Sequence, residues 1–173
     1  MKHFVLAITG PAGSGKTTVA EKLAKQLPHC VNIDADYVKH MVVDGFYVDE
    51  EDPQNPLGWG FNKWELVGES IGLLAANFAK HGYDIIINGY ISQGAWVNIE
   101  KHVKIDKKIL LLPHLAKVVE RDATRPQDYV MGEATVAVHH QEFSSNEYYR
   151  GFAKLDSTDH SVDETVQTIK SLL

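Results

Sequence analysis

Eight consecutive residues restrict what this chain can fold into more than any others: Gly10-Pro11-Ala12-Gly13-Ser14-Gly15-Lys16-Thr17, the pattern G-x-x-x-x-G-K-[ST]. They follow Phe4 to Ile8, a short apolar run suited to a strand covered on both faces. They open residues 16 to 27, where Val19, Leu23 and Leu27 recur at steps of four along one helical face until Pro28 stops it. Small residues between a strand and a helix let backbone N–H groups curl around an anion, where a bulky side chain would block the approach. The helix start adds a partial positive charge of roughly half a unit. Such a turn suits the phosphates of a nucleotide, with Gly10, Ala12, Gly13, Ser14, Gly15, Lys16, Thr17 and Thr18 as its binding residues. Lys16 is placed to bridge the β- and γ-phosphates, and the Thr17 hydroxyl to ligate Mg²⁺.

The rest of the chain repeats the alternation. Val31 to Ile33, Tyr83 to Asn88, Ile105 to Leu112 and Phe152 to Leu155 read as further strands. Between them, Val67, Ile71, Leu74 and Phe78 mark one helix, entered through Asn62 and Glu65 and left at Gly82. Residues 114 to 124 and 133 to 149 read as two more. Ser161 and Glu164 form a capping box for a last helix that buries Val162, Val166, Ile169 and Leu173. Strands separated by helices imply right-handed crossovers and a parallel sheet covered on both sides. The expectation is a three-layer α/β/α domain spanning residues 1–173 with a five-stranded parallel sheet. Residues 44 to 60, rich in glycine, proline and the acidic run Asp49-Glu50-Glu51-Asp52, break the pattern as a long loop, with its acidic run on a solvated surface.

Bulk properties narrow the partners. A net charge of −6 argues against nonspecific nucleic-acid binding, which needs a basic face. No stretch approaches the roughly 20 apolar residues of a membrane span. The single cysteine, Cys30, cannot form an internal disulfide and reads as a buried, inert thiol. Cytoplasm is the expected compartment.

Two further groups carry chemistry. Asp34 and Asp36 close the second strand, and carboxylates two apart there face the crevice where open α/β sheets bind ligands. The competing reading is that they shape a turn, with Asp36 capping a helix that begins at Tyr37. Arg121 and Arg125 are four apart and share a helical face if the helix extends that far; aimed at the phosphate loop, they would stabilise charge on a transferring phosphoryl group.

With these residues the chain resembles the small P-loop kinases along essentially its whole length. That group includes shikimate kinase, gluconate kinase, the nucleoside monophosphate kinases and antibiotic phosphotransferases such as chloramphenicol phosphotransferase. The resemblance implies a kinase using ATP and Mg²⁺ on a hydroxyl of a small acceptor. By it Asp34 supports the metal beside Thr17, and Asp36 orients or deprotonates the acceptor. Arg121 lies on adenine, Arg125 reaches the phosphates, and residues 126 to 132 form a short lid. The loop at Leu155-Asp156-Ser157-Thr158, with Ser157 central, holds the base through its backbone. Lys16, Asp36 and Arg125 are the catalytic residues, and an insertion at about 37–62, together with Gly89 and Tyr90, borders the acceptor. One departure stands out: Asn88 ends the third strand where many P-loop proteins carry an aspartate.

Two other functions remain open at this point, a GTPase-type switch and a nucleotide-binding protein without chemistry. Asn62-Lys63-Trp64-Glu65 resembles the guanine-reading N-K-x-D, but it ends in Glu and opens a helix. Among kinases, the three arginines Arg121, Arg125 and Arg150 leave few for a carboxylate-bearing acceptor, which favours a neutral polyol, sugar or antibiotic. Arg150 is expected to be solvated, His139 and His140 to point apart, and Trp59, Trp64 and Trp96 to pack.

Overall fold

A strand made only of apolar residues needs cover on both faces, and the chain supplies it. The computed structural model describes residues 3–43 and 63–173. Its strands are β1 (Val5–Thr9), β2 (Cys30–Asp34), β3 (Asp84–Gly89), β4 (Lys107–Leu111) and β5 (Ala153–Leu155). Its helices are α1 (Lys16–Ala24), α2 (Ala35–Lys39), α3 (Lys63–Lys80), α4 (Gln93–Glu100), α5 (Leu115–Ala123), α6 (Glu133–Ser145) and α7 (Val162–Ser171). The five strands form one parallel sheet in the order β2-β3-β1-β4-β5. All of β1 is buried, as its composition demands.

Alternation along the strands divides the core. Leu6, Ile8, Ile86, Ile109 and Leu111 face α1 and α7, meeting Val19, Leu23, Val166 and Ile169. Val5, Ala7, Ile85, Ile87 and Leu110 face the other way, onto Ile71 and Ala75 of α3, Trp96 and Ile99 of α4, and Phe143 of α6. A third, smaller cluster joins Ala12 of the loop after β1 to Val118 of α5 and Val136 of α6. The three layers therefore meet at the phosphate loop, which leaves the central strand at the carboxyl edge of the sheet.

Several boundaries differ from the sequence reading. Helix α1 stops at Ala24, so Leu27 packs on the core from beyond the helix. Helix α4 has no counterpart in that reading, because Gly94 and Asn98 interrupt the short apolar face of Ala95, Trp96 and Ile99. The long helix expected over 133–149 breaks at Asn146, which is extended and whose side chain accepts from the Tyr148 N–H at 2.9 Å; a 3₁₀ turn, Glu147–Gly151, follows. The capping box of α7 forms as expected, but the helix ends at Ser171 and Leu173, expected on its buried face, is exposed. Gly82, at φ +83°, follows the end of α3. Trp96 is fully buried, Trp64 packs on the core, and Arg150 pairs with Glu147 on the surface at 2.9 Å. Asn62, Trp59 and the acidic run lie outside the described residues.

Candidate functional site

The loop after β1 is shaped by two close approaches. Gly10 and Gly13 adopt φ +152° and +77°. A Cβ on Gly10 would stand 2.2 Å from the Leu111 carbonyl oxygen, and one on Gly13 would stand 2.4 Å from that of Val118. Only glycine lets β4 and α5 press this tightly on the loop. Gly15 then enters α1 in the left-handed region with no side-chain cap, so the first N–H groups of the helix have no side chain to bond. That is the anion-binding end of a helix.

Lys16 is buried, and its ammonium donates to the Pro11 carbonyl at 3.1 Å, folding back over its own loop. Burial pulls its pKa down to about 8; Asp36 and Asp34 oppose the fall and Arg125 adds to it. The Thr17 hydroxyl donates to Asp34 Oδ2 at 3.3 Å. Asp34 is buried at the end of β2, and burial raises its carboxyl against the N–H of Asp36, donated to Oδ1 at 2.8 Å, and the Thr17 hydroxyl. The competing turn reading is thereby corrected: Asp34, not Asp36, is the N-cap, and its helix begins at Ala35 rather than Tyr37. Asp36 sits in the first turn of α2 with its side chain exposed.

Asn88 lies beside Asp34 in the β2–β3 register and is fully buried. It shares the strand face of Ile86, toward α1. Its amide donates to Asn32 at 2.9 Å, while its own oxygen is buried without a partner among the described residues. Gly89 is buried against Ala35, whose Cβ would stand 2.6 Å from an added Cβ, and its carbonyl accepts from the Thr9 hydroxyl at 2.9 Å.

A groove of about 330 Å³ runs from the loop along α1 and α5. Gly13 through Val19, Arg121, Arg125, Ser157, His160, Val162 and Thr165 line it. Arg121 donates to the Ser157 carbonyl at 3.0 Å, tying α5 to the loop after β5, where Ser157 is buried. Although α5 ends at Ala123, the turn that follows carries Arg125 to the same groove. Arg125 pairs with buried Asp122 at 3.2 Å. The sequence reading passes over Asp122, whose only local signal is its place three residues before an arginine, and over His160 and Thr165, and it places Val162 on the core face alone; α7 and the turn before it bring these three to the groove.

Tyr90 follows β3 and is enclosed by rings. Its centroid lies 4.6 Å from His139, 5.3 Å from Phe143 and 5.9 Å from Trp64. Its hydroxyl donates to Glu142 of α6, and burial first, then that bond, raises its pKa. His139 and His140 do diverge: the first packs at a tilt against Tyr90, the second bonds the Pro113 carbonyl at 2.9 Å. Lys63, Trp64 and Glu65 form the first turn of α3, not a loop after a strand. Cys30 is half-buried, and burial, with Asp84 beside it, pushes its thiol up to about 11. No helix among the described residues is long and apolar enough to cross a membrane.

A parallel sheet with a glycine-built anion cradle at its carboxyl edge defines a P-loop protein. A family model described as an AAA domain matches residues 5–142, and the chain belongs to that family. No curated protein matches the sequence significantly. Solved structures do match the fold. The tunicamycin resistance protein of Deinococcus radiodurans is similar with a TM-score of 0.69 at 18% identity, over 98% of this chain and 95% of that one. A sugar kinase from Janibacter sp. HTCC2649 matches with a TM-score of 0.69 at 13% identity, over 98% and 93%. Shikimate kinase from Bacteroides thetaiotaomicron matches with a TM-score of 0.65 at 16% identity, over 98% and 97%. The fold is thus the three-layer, five-stranded parallel one of small P-loop kinases.

Proposed function

We propose that the protein transfers the γ-phosphoryl group of ATP to a hydroxyl of a small neutral molecule. The observation that carries this reading is the phosphate loop with what borders it: Lys16 is buried over the loop, and Thr17, Arg121 and Arg125 line one groove with it. The fold neighbours that are kinases of sugars and of shikimate support it.

The residues present fit Mg²⁺. The Thr17 hydroxyl and the Asp34 carboxylate, both oxygen donors, are in contact beside the phosphate loop. That is the donor set of a cation held by one or two protein groups and by substrate phosphates. Bound Mg²⁺ supplies charge neutralisation on the β- and γ-phosphates. The chain does the remainder. The N–H groups of the loop and Lys16 hold the phosphates, Arg121 and Ser157 border the base, and Arg125 faces the transferring group. Asp36 takes the proton of the acceptor hydroxyl as its oxygen bonds to the γ-phosphorus and the bond to the ADP oxygen breaks. Residues 126 to 132 serve as a short lid, and Gly89 and Tyr90 border the acceptor.

The acceptor is read as neutral from the charges around Tyr90. Its hydroxyl is bonded to the Glu142 carboxylate, which disfavours an anion there, and the arginines are engaged elsewhere. The cytoplasm, where ATP is supplied and thiols stay reduced, is the setting this reading implies. A coupled ADP-release screen over sugars, polyols, nucleosides, gluconate and shikimate, run with ATP and with GTP, tests the proposal. Turnover with ATP on neutral acceptors is expected. Turnover only with carboxylated acceptors contradicts the acceptor class, and strong preference for GTP contradicts the kinase reading.

A further inference from the structure

We infer that Asp122 is a positioning residue that fixes Arg125 and the far end of the 126–132 segment as one unit over the nucleotide groove. The inference rests on the reading of Arg125 as a phosphate-side residue and goes beyond it. A buried carboxylate is costly unless its oxygens are bonded, and Asp122, with its side chain 3% exposed, has both bonded. Oδ1 accepts from an Arg125 guanidinium nitrogen at 3.2 Å. Oδ2 accepts from the Met131 and Gly132 N–H groups, each at 3.0 Å. One side chain on α5 therefore holds both ends of the segment that links α5 to α6. It engages one nitrogen of the Arg125 guanidinium, and Arg125 lines the groove.

The position of Asp122 explains why it holds this role rather than a packing one. It lies one residue from Arg121, whose guanidinium is anchored to the Ser157 carbonyl in the loop after β5. Val118, one turn earlier, packs with Ala12 and presses its carbonyl on Gly13. Helix α5 is thus clamped to the phosphate loop and carries Arg121, and Asp122 transmits that placement to Arg125 in the turn beyond it and to residues 131 and 132. Preset side chains lose less entropy when they engage a phosphate, which is the advantage such a hold provides.

The test compares wild type, D122A and D122N by two readouts. One is the dissociation constant of the non-hydrolysable analogue AMPPNP with Mg²⁺. The other is the rate at which chymotrypsin cuts after Tyr129, 60% exposed within the segment, followed as the fragment that begins at Val130. D122A removes all three bonds; cutting is expected to rise at least about tenfold and the AMPPNP dissociation constant by about tenfold, the scale of a lost bond to a charged group. D122N keeps an oxygen for the two backbone N–H groups and turns an NH₂ toward the guanidinium. Cutting should then stay within about twofold of wild type while the dissociation constant remains about tenfold raised. That split is what a purely structural role would not give. Wild-type affinity in D122N, or wild-type cutting in D122A, overturns the inference; where D122A does not fold, the near-isosteric D122N decides it. Failure of the wild type to bind AMPPNP contradicts the phosphotransfer reading instead, and the cutting rates still judge the hold of Asp122 on the segment.

Discussion

Substituting Gly13 by alanine tests the packing that shapes the phosphate loop. Two costs apply. The backbone at φ +77° disfavours a Cβ by roughly 1–2 kcal/mol. The new Cβ would also stand 2.4 Å from the Val118 carbonyl oxygen and 3.2 Å from Val118 Cγ1. The oxygen is backbone of α5, so relief requires the helix or the loop to shift by most of an ångström, an overpacking cost of about 1–3 kcal/mol. Gly82 is the matched control. It has φ +83°, no atom within 4 Å of an added Cβ, and sits at the end of α3. Gly82→Ala should lose only the backbone part, and Gly13→Ala about 2–5 kcal/mol in all. At about 2–4 °C per kcal/mol for a chain of this size, melting should fall by about 2–8 °C for the control and by about 4–20 °C for Gly13→Ala, with the control always the smaller. Because Arg121 and Asp122 ride on the displaced helix, AMPPNP affinity should drop in Gly13→Ala and hold in Gly82→Ala. Differential scanning calorimetry and a nucleotide titration on both variants give the comparison. Equal melting temperatures for the two would show that α5 does not press on the loop, and the steric account would be wrong.

Other expectations follow from the same geometry. Asp36→Asn should leave ATP binding near normal and cut phosphotransfer by at least about 10²-fold, since only the proton acceptor is lost; equal turnover removes Asp36 from the chemistry. Cys30, with its thiol near 11, should react with iodoacetamide at pH 8 roughly 100-fold more slowly than the unfolded chain, whose thiol is ordinary. Its rate should climb between pH 8 and 11, because only the thiolate attacks. A pH-independent rate, or one matching the denatured protein, contradicts the burial assigned to it.

Local signals in the chain carried much of this structure. The phosphate loop, the strands and the capping box of Ser161 and Glu164 depend on residues within a few positions of one another, and they stand where spacing and composition put them. Helix α4 was illegible because a short element interrupted by Gly94 and Asn98 has too little periodic face to register, although Trp96 in it is fully buried. The break at Asn146 was illegible for a different reason: a side chain bonding its own backbone competes with a helix whose other residues continue the pattern. The capping relation of Asp34 and Asp36 turned on a single hydrogen bond, which spacing alone does not decide. The groove was legible on the side of the P-loop and the arginines. Its opposite wall, His160 and Thr165, and the contact of Tyr90 with Glu142, 52 residues later, come together only through the fold.

The central claim is that the cradle at residues 10–17 presents a terminal phosphate to an acceptor hydroxyl beside Asp36. Incubation with ATP carrying an isotopic label in its γ-phosphate, in the presence of Mg²⁺ and a panel of neutral sugars, polyols and nucleosides, follows that atom directly. The account predicts label in a phosphorylated acceptor, abolished by replacing Lys16 with methionine. Label that stays in ATP, or that emerges only as inorganic phosphate with every acceptor present, contradicts it.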